Sequence, residues 1–265
     1  MEIDGKLPIK YSCNFSRSRE GEQFVPEHTI GYIISGEMVT CDSEGTQTFK
    51  KGDLYFCRRN HLAKYTKIPP EGGDFRSVSM FFGQHILRNF SLEYGNKADS
   101  QVATPGFRML PDEPALKYFM DSLRAYEPIL RQKGTEQLLT VKLNEAVLIL
   151  LKSNPDLKNI LFDFSEPGKI DLEEFMEKNF HFNIDLERFA YLTGRSLSTF
   201  KRDFEKIYHM TPSRWLVQRR LQEAHYMIKE KKQQVSDVYL ELGFENLSHF
   251  SFAFKKQYGI SPSQL

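Results

Sequence analysis

A chain of 265 residues with 40% apolar and 27% charged side chains has the composition of a soluble globular protein, with room for one large or two medium domains. No apolar run approaches the roughly 20 residues that span a bilayer, and Met1-Glu2-Ile3-Asp4 lacks the basic-then-apolar pattern of an export signal, so no membrane partner is expected. Net charge is only +1, but residues 195–265 carry 12 Lys and Arg against 7 Asp and Glu, while residues 166–194 carry 3 against 7, so any footprint on phosphate belongs at the C-terminal end.

Residues 24–82 read as β structure. Short apolar runs such as His28–Ile34 and Leu54–Phe56 are separated by Ser35-Gly36, Glu44-Gly45, Lys51-Gly52-Asp53 and Pro69-Pro70. Runs of this length bounded by Gly and Pro predict a small sandwich or barrel. Residues 85–105 fit no single pattern. Helices are predicted over Asp112–Tyr126 and Thr135–Lys152, the second with apolar residues at Leu138, Leu139, Leu143, Val147 and Leu150. Asn154-Pro155 and Pro167-Gly168 mark Ser153–Gly168 as a linker, and the chain after Lys169 reads as helical throughout. Cys13, Cys41 and Cys57 are odd in number, widely spaced and without a CxxC pair, which predicts free thiols in a reducing cytoplasm.

The strongest signal is an internal repeat at a constant offset of 50. Leu192, Leu197, Ser198, Phe200, Phe204, Lys206, Tyr208, Pro212 and Ser213 recur as Leu242, Leu247, Ser248, Phe250, Phe254, Lys256, Tyr258, Pro262 and Ser263. Each copy predicts a short helix (Asp185–Leu192 or Ser236–Leu242) and a break containing Gly194 or Gly243. A cap residue, Ser196 or Asn246, then opens a second helix. The apolar residues of that second helix share one face. Its other face holds Ser198, Thr199, Lys201 and Arg202 in the first copy and Ser248, His249 and Ser251 in the second. Short polar and basic side chains near the start of a second helix suit a reader of the DNA major groove, because they allow close approach and Arg can bond guanine twice. Between the copies, Pro212 opens a third helix with Trp215, Leu216, Leu221, Ala224 and Ile228 on one face and Arg214, Arg219, Arg220 and Lys229 outside. Helix-turn-helix geometry also occurs in purely structural bundles. The fixed period and the basic connecting helix favour DNA.

Three stretches resemble the AraC/XylS-type transcription regulators. They are Ser196–Phe204; Pro212, Trp215-Leu216, Arg220-Leu221 and Ala224; and Gly243–Pro262. The resemblance implies a double helix-turn-helix module that binds double-stranded promoter DNA and works with RNA polymerase, commonly as an activator. By position it implies base contacts from Ser198, Thr199, Lys201, Arg202, Ser248, His249, Ser251 and Phe252, and phosphate contacts from Arg195, Lys206, Arg219, Lys255 and Lys256. Three positions depart from the family pattern: Phe252 stands where Arg is common, Tyr239 where Ala is usual, and His209 where Gly is common. Phe252 cannot bond a guanine, which leaves a thymine methyl or the backbone for the second unit. Tyr239 implies repacking. His209 is milder, since His tolerates left-handed backbone.

The fold class expected is therefore α+β in two domains. Residues 1–155 form a cupin-like small β-barrel with flanking helices, 156–168 a linker, and 169–265 an all-α double helix-turn-helix with its linker helix. Regulators of the resembling type often carry such a barrel, with a small-molecule effector inside and a dimer contact outside. The helix Thr135–Lys152 is either a homodimer interface or a helix packed on the barrel. Arg58, Arg59, Lys64 and Lys67 lie near the expected rim, where they would suit an anion or simply face solvent. Enzymatic cupins hold a metal through His-x-His, Glu and a later His. Here His28 is followed two positions on by Ile30, and His61 stands apart, so no metal, no cofactor and no catalytic residue is expected, and both His read as surface or pocket-wall residues. Two alternatives stand beside the ligand-responsive regulator: a metal-dependent cupin enzyme with a helical appendage, and a regulator controlled by a protein partner without a small ligand. No Walker loop, Rossmann fingerprint or HExxH is present.

Overall fold

The strand β6, Leu54–Cys57, is buried at all four positions, which requires that both faces of its sheet be covered. Leu54 and Phe56 turn to one core and Tyr55 and Cys57 to another, as the two-residue period of a strand dictates. This strand lies in a five-stranded antiparallel sheet ordered β1 (Ile9–Asn14), β9 (Phe75–Phe82), β3 (His28–Ser35), β6 and β10 (Phe107–Met109). β3 is central and sets the register, pairing Ile30 with both Phe56 and Met80. The structure is a computed structural model that describes residues 7–18, 23–102, 104–130 and 132–265. Met1–Asp4, considered above for an export signal, lie outside them.

A three-stranded sheet of β5 (Gly45–Lys50), β4 (Glu37–Asp42) and β8 (Lys64–Ile68) packs on one face, and β2 (Phe24–Val25) pairs with β7 (His61–Leu62). Met38, Phe49 and Tyr65 meet Ile33, Tyr55, Phe75 and Phe107 there. The other face is covered by α1 (Gln84–Tyr94), α2 (Pro114–Leu130), α3 (Glu136–Ser153) and α4 (Lys158–Leu161), whose Phe90, Leu116, Met120, Leu143 and Leu161 bury against Ile30, Val78 and Met80. The expected closed barrel is thus corrected to an open sandwich with a helical layer: among the described residues the strands fall into three separate sheets. α2 also runs past its expected end at Tyr126, through Pro128, to Leu130.

The space between the sheets is filled. Tyr55 lies 4.9 Å from Phe49 and 6.2 Å from Phe107, ring centre to ring centre, and Tyr65 lies 5.8 Å from Phe107. Gly31 is needed to admit Tyr55, because a Cβ at position 31 would meet that ring at 2.0 Å. His28 and His61 do not lie at the surface. Both are buried, and the His61 Nε2 bonds Asp42 Oδ2 at 2.8 Å. His28 Nδ1 accepts from the Arg59 backbone N–H at 3.2 Å and its ring stacks on Phe56. Arg59 is no rim cation either: it is 7% exposed and donates to the carbonyls of Asp163 and Ser165.

The segment read as a linker is largely structured. Pro155 opens a short 3-10 turn (Pro155–Leu157) that leads into α4, and Leu157, Ile160, Leu161 and Phe162 are buried in the helical core. Asp156 pairs with Arg108, and Lys158 pairs with Asp99. Asn154-Pro155 is therefore a turn within the first unit, and the chain divides at Ser165 and Glu166.

The second unit is helical: α5 (Leu172–Asn179), α6 (Leu186–Leu192), α7 (Leu197–Tyr208), α8 (Pro212–Lys229), α9 (Val235–Glu241) and α10 (Leu247–Tyr258). α8 serves both repeats. Trp215 packs edge-on against Phe204 of α7 at 5.5 Å, and His225 packs on Phe254 and Tyr258 of α10. The sequence places Arg220 on the outside of α8, and the structure buries it at 8% exposure. Its Nε, Nη2 and Nη1 donate to the carbonyls of Phe180 (2.7 Å), Phe182 (2.7 Å) and Gly243 (2.9 Å). Leu216, Arg220 and Ala224 follow each other at helical spacing on the buried face. Burial lowers the Arg220 pKa to about 10, which leaves it charged at neutral pH.

Two outcomes follow. Burial first, and then the charges of Arg59 and Arg58, lower the His28 pKa to about 3, against 6.5 when free. Its unfolded state alone binds a proton between those values, so stability is full above pH 6.5 and falls as pH drops toward 3. Urea unfolding at pH 5 is expected to show a loss of about 2 kcal/mol relative to pH 7 from this group, and His28→Gln to flatten that dependence. Arg220→Leu strands three buried carbonyls and is expected to cost about 3 kcal/mol in urea unfolding of the second unit. Arg220→Lys should recover only part, because one ammonium cannot reach all three.

Candidate nucleic-acid interface

The two outward helices, α7 and α10, are built by the same local rules. The Ser196 side chain accepts from the Thr199 N–H and that of Asn246 from the His249 N–H, so each helix starts on a side-chain cap. Phe200 and Phe204, and Phe250 and Phe254, are fully buried. α7 ends at His209 with φ 52 and α10 at Gly259 with φ 79, each donating its N–H four residues back, to Glu205 and Lys255. His209 thus takes the left-handed conformation that Gly takes in the second copy. Gly243 has φ 77, and a Cβ there would meet the His181 carbonyl oxygen at 2.7 Å. That close approach puts the Gly243 carbonyl within reach of Arg220.

With the Phe pairs turned inward, the opposite faces carry the expected residues. In α7, Ser198, Lys201, Arg202 and Lys206 are exposed and Thr199 is half-buried. In α10, Ser248, His249, Phe252, Lys255 and Lys256 are exposed and Ser251 is half-buried. Arg202 has 65% of its side chain exposed and only a loose 3.6 Å approach to Asp203. Its guanidinium is thus available to a partner. The His249 ring rests edge-on against Phe244 at 5.9 Å, which limits its freedom to reach outward. Tyr239 is accommodated by stacking on Phe250 at 6.4 Å, the repacking that its size implies.

Two expected phosphate contacts are engaged elsewhere. The Arg195 side chain is 7% exposed. It donates from Nε to Asp203 at 3.2 Å and from Nη1 to the carbonyls of Ile170 (3.0 Å) and Thr193 (2.7 Å). It closes the turn before α7 and does not present a charge. The Arg195 hydrogen bond, ahead of the nearby cations, holds the Asp203 carboxyl below its usual range. Arg219 bonds Glu177 at 3.0 Å and Glu223 at 3.1 Å and lies over the Phe180 ring at 4.2 Å. Its charge is neutralised by two carboxylates. Two of the partners, Ile170 and Glu177, lie 25 and 42 residues away in the chain, while Asp203 and Glu223 are near enough to have been read as signals.

The comparisons with known proteins agree with this geometry. Residues 189–265 match a family described as a helix-turn-helix domain, and residues 28–160 match the ExsA N-terminal regulatory domain. The HTH-type transcriptional regulator ExsA of Pseudomonas aeruginosa is 26% identical over 261 residues, covering 96% of this chain and 91% of its own. An uncharacterized HTH-type transcriptional regulator of Haemophilus influenzae is 38% identical over 291 aligned positions, covering 99% of this chain and 94% of its own. The virulence regulon transcriptional activator VirF of Yersinia enterocolitica is 26% identical over 248 residues, covering 91% and 90%. A double helix-turn-helix on a shared central helix, preceded by this regulatory domain, places the chain in the AraC/XylS-type family of transcription regulators, which are not enzymes.

Proposed function

We propose that this chain activates transcription by reading two short sequence blocks in promoter DNA, α7 entering one major groove and α10 the next, under control of a signal received by its first unit. The observation that carries this reading is the matched pair of outward faces on α7 and α10, each opening on a side-chain cap and each anchored by two buried Phe. Lys206, Lys255 and Lys256 supply phosphate contacts, and Arg202 bonds a guanine. Site selection from random duplexes is expected to yield two blocks roughly 10 bp apart. Arg202→Ala should relax preference in one block at a cost of about 1–3 kcal/mol, whereas Arg195→Ala should lower stability and leave the salt dependence of binding unchanged. A wild-type chain that binds all sequences alike would overturn the reading.

For the signal, the space between the sheets is taken by aromatic rings, so an effector needs another place. A shallow cleft lined by Leu7, Ile9, Tyr11, Glu127, Leu130 and Leu139 encloses about 20 Å³, so an effector there has to widen it. The Tyr11 hydroxyl is buried without a hydrogen-bond partner among the described residues. An apolar small molecule with a polar end suits this lining. A thermal-shift screen should find compounds that raise the unfolding temperature of the wild-type chain and lose this effect with Leu139→Trp. If none does, control by a protein partner takes precedence.

A second copy pairs through α3. Val141 and Leu148 are 60% and 46% exposed, one heptad apart on its outer side. Val141→Asp with Leu148→Asp is expected to leave a monomer in sedimentation.

A further inference from the structure

The repeat sets Phe252 of α10 where Arg202 stands in α7, and the change is not isolated. In the first copy Asp203 binds Arg195 and lies 3.6 Å from Arg202. At the same offset the second copy has Ala253, Glu245 and Phe252. Arg202 and Asp203 give way to the uncharged Phe252 and Ala253, and Arg195 to Glu245 in the turn, so the centre of the second ridge is uncharged. Phe252 is 70% exposed, while the other two phenylalanines of α10, Phe250 and Phe254, are fully buried. No packing need accounts for a benzyl group on that face, and its exposure is unfavourable in water. Ser248 lies one turn before it and Lys255 and Lys256 one turn after, all exposed. The ridge therefore offers one apolar knob between a short hydroxyl and two cations.

An anionic partner with an apolar spot in its groove complements that pattern. In the major groove of DNA the one apolar group is the C5-methyl of thymine. Building on the two-block reading above, the geometry points to Phe252 as the specificity residue of the second block, where it packs on a thymine methyl and makes no hydrogen bond. The two blocks are then unlike: α7 selects guanine through the Arg202 guanidinium, and α10 selects thymine through shape and apolar contact.

The test uses the full chain and its selected operator, with deoxyuridine replacing thymine one position at a time, which removes only the methyl. Wild-type affinity is expected to fall about fourfold at one position in the second block, the value of one buried methyl group. Phe252→Ala should weaken binding to the thymine duplex by a similar factor and no longer distinguish thymine from uracil there. Phe252→Leu keeps an apolar end and should retain part of the distinction, which separates a lost contact from a damaged helix. Restoring the methyl as 5-methylcytosine, paired with guanine, should recover part of the wild-type affinity lost with plain cytosine. If uracil binds the wild-type chain as well as thymine throughout the second block, or if Phe252→Ala leaves the thymine-to-uracil ratio unchanged, the assignment is wrong, while the guanine preference of the first block still stands on Arg202. Loss of preference in both blocks would instead remove the parent reading, and this assignment with it.

Discussion

One guanidinium holds the second unit together. Arg220 offers three donors in one plane and meets three carbonyls, two before α6 and one in the turn before α10. Two of these belong to the approach of the first repeat and the third to the turn of the second. A buried arginine without a carboxylate is costly unless its donors are satisfied, and here the carbonyl dipoles do that work. The position of each reading helix is thus set by backbone atoms on a shared side chain, with Trp215 and His225 filling the space to either side. The tie also makes the fold particular about Gly243, where a Cβ would meet the His181 carbonyl oxygen at 2.7 Å.

On that common frame the two copies have diverged. Capping, aromatic packing and the left-handed exit are the same in α7 and α10, whereas the outer faces differ in charge. A regional excess of cations therefore overstates what DNA can meet. Arg195, Arg219 and Arg220 all count toward the basic balance of residues 195–265, yet all three are committed to partners within the unit. Of the cations that remain outward, Lys201, Arg202, Lys206, Lys255 and Lys256 lie on the two second helices, and Arg214, Lys229, Lys231 and Lys232 on or just after α8.

How much was legible follows from the range of the interactions. The double helix-turn-helix could be read because its signals are local: a cap next to its helix, Phe at helical spacing, and Pro212 at the start of α8. The sheet of the first unit was legible as strands, but the choice between a sandwich and a barrel was not. A run such as Leu54–Cys57 is apolar whether its covers are strands or helices, and the helices that cover it are distant in the chain. β1 was missed because Ile9–Asn14 alternates weakly on an edge. Asn154-Pro155 has the composition of a linker, but the apolar residues that follow it bury the turn. Arg220 did leave a sign, since it falls between Leu216 and Ala224 on an otherwise apolar face, a place where a charge must find acceptors.

The turn between β6 and β7 has a mechanical consequence. The Arg59 backbone holds His28 in the central strand, and its guanidinium holds the carbonyls of Asp163 and Ser165, the last stretch of chain before the first unit ends. The exit of the chain is thus tied to the sheet by Arg59, beside the contacts of Phe164 with Arg88 and of Ser165 with Gln101. A sandwich with its interior filled is stiff and passes displacement on without absorbing it. Shifting that turn by about an ångström would take both carbonyl bonds out of range. Release of the departing chain therefore asks for the loss of the Phe164 and Gln101 contacts as well as of the Arg59 bonds.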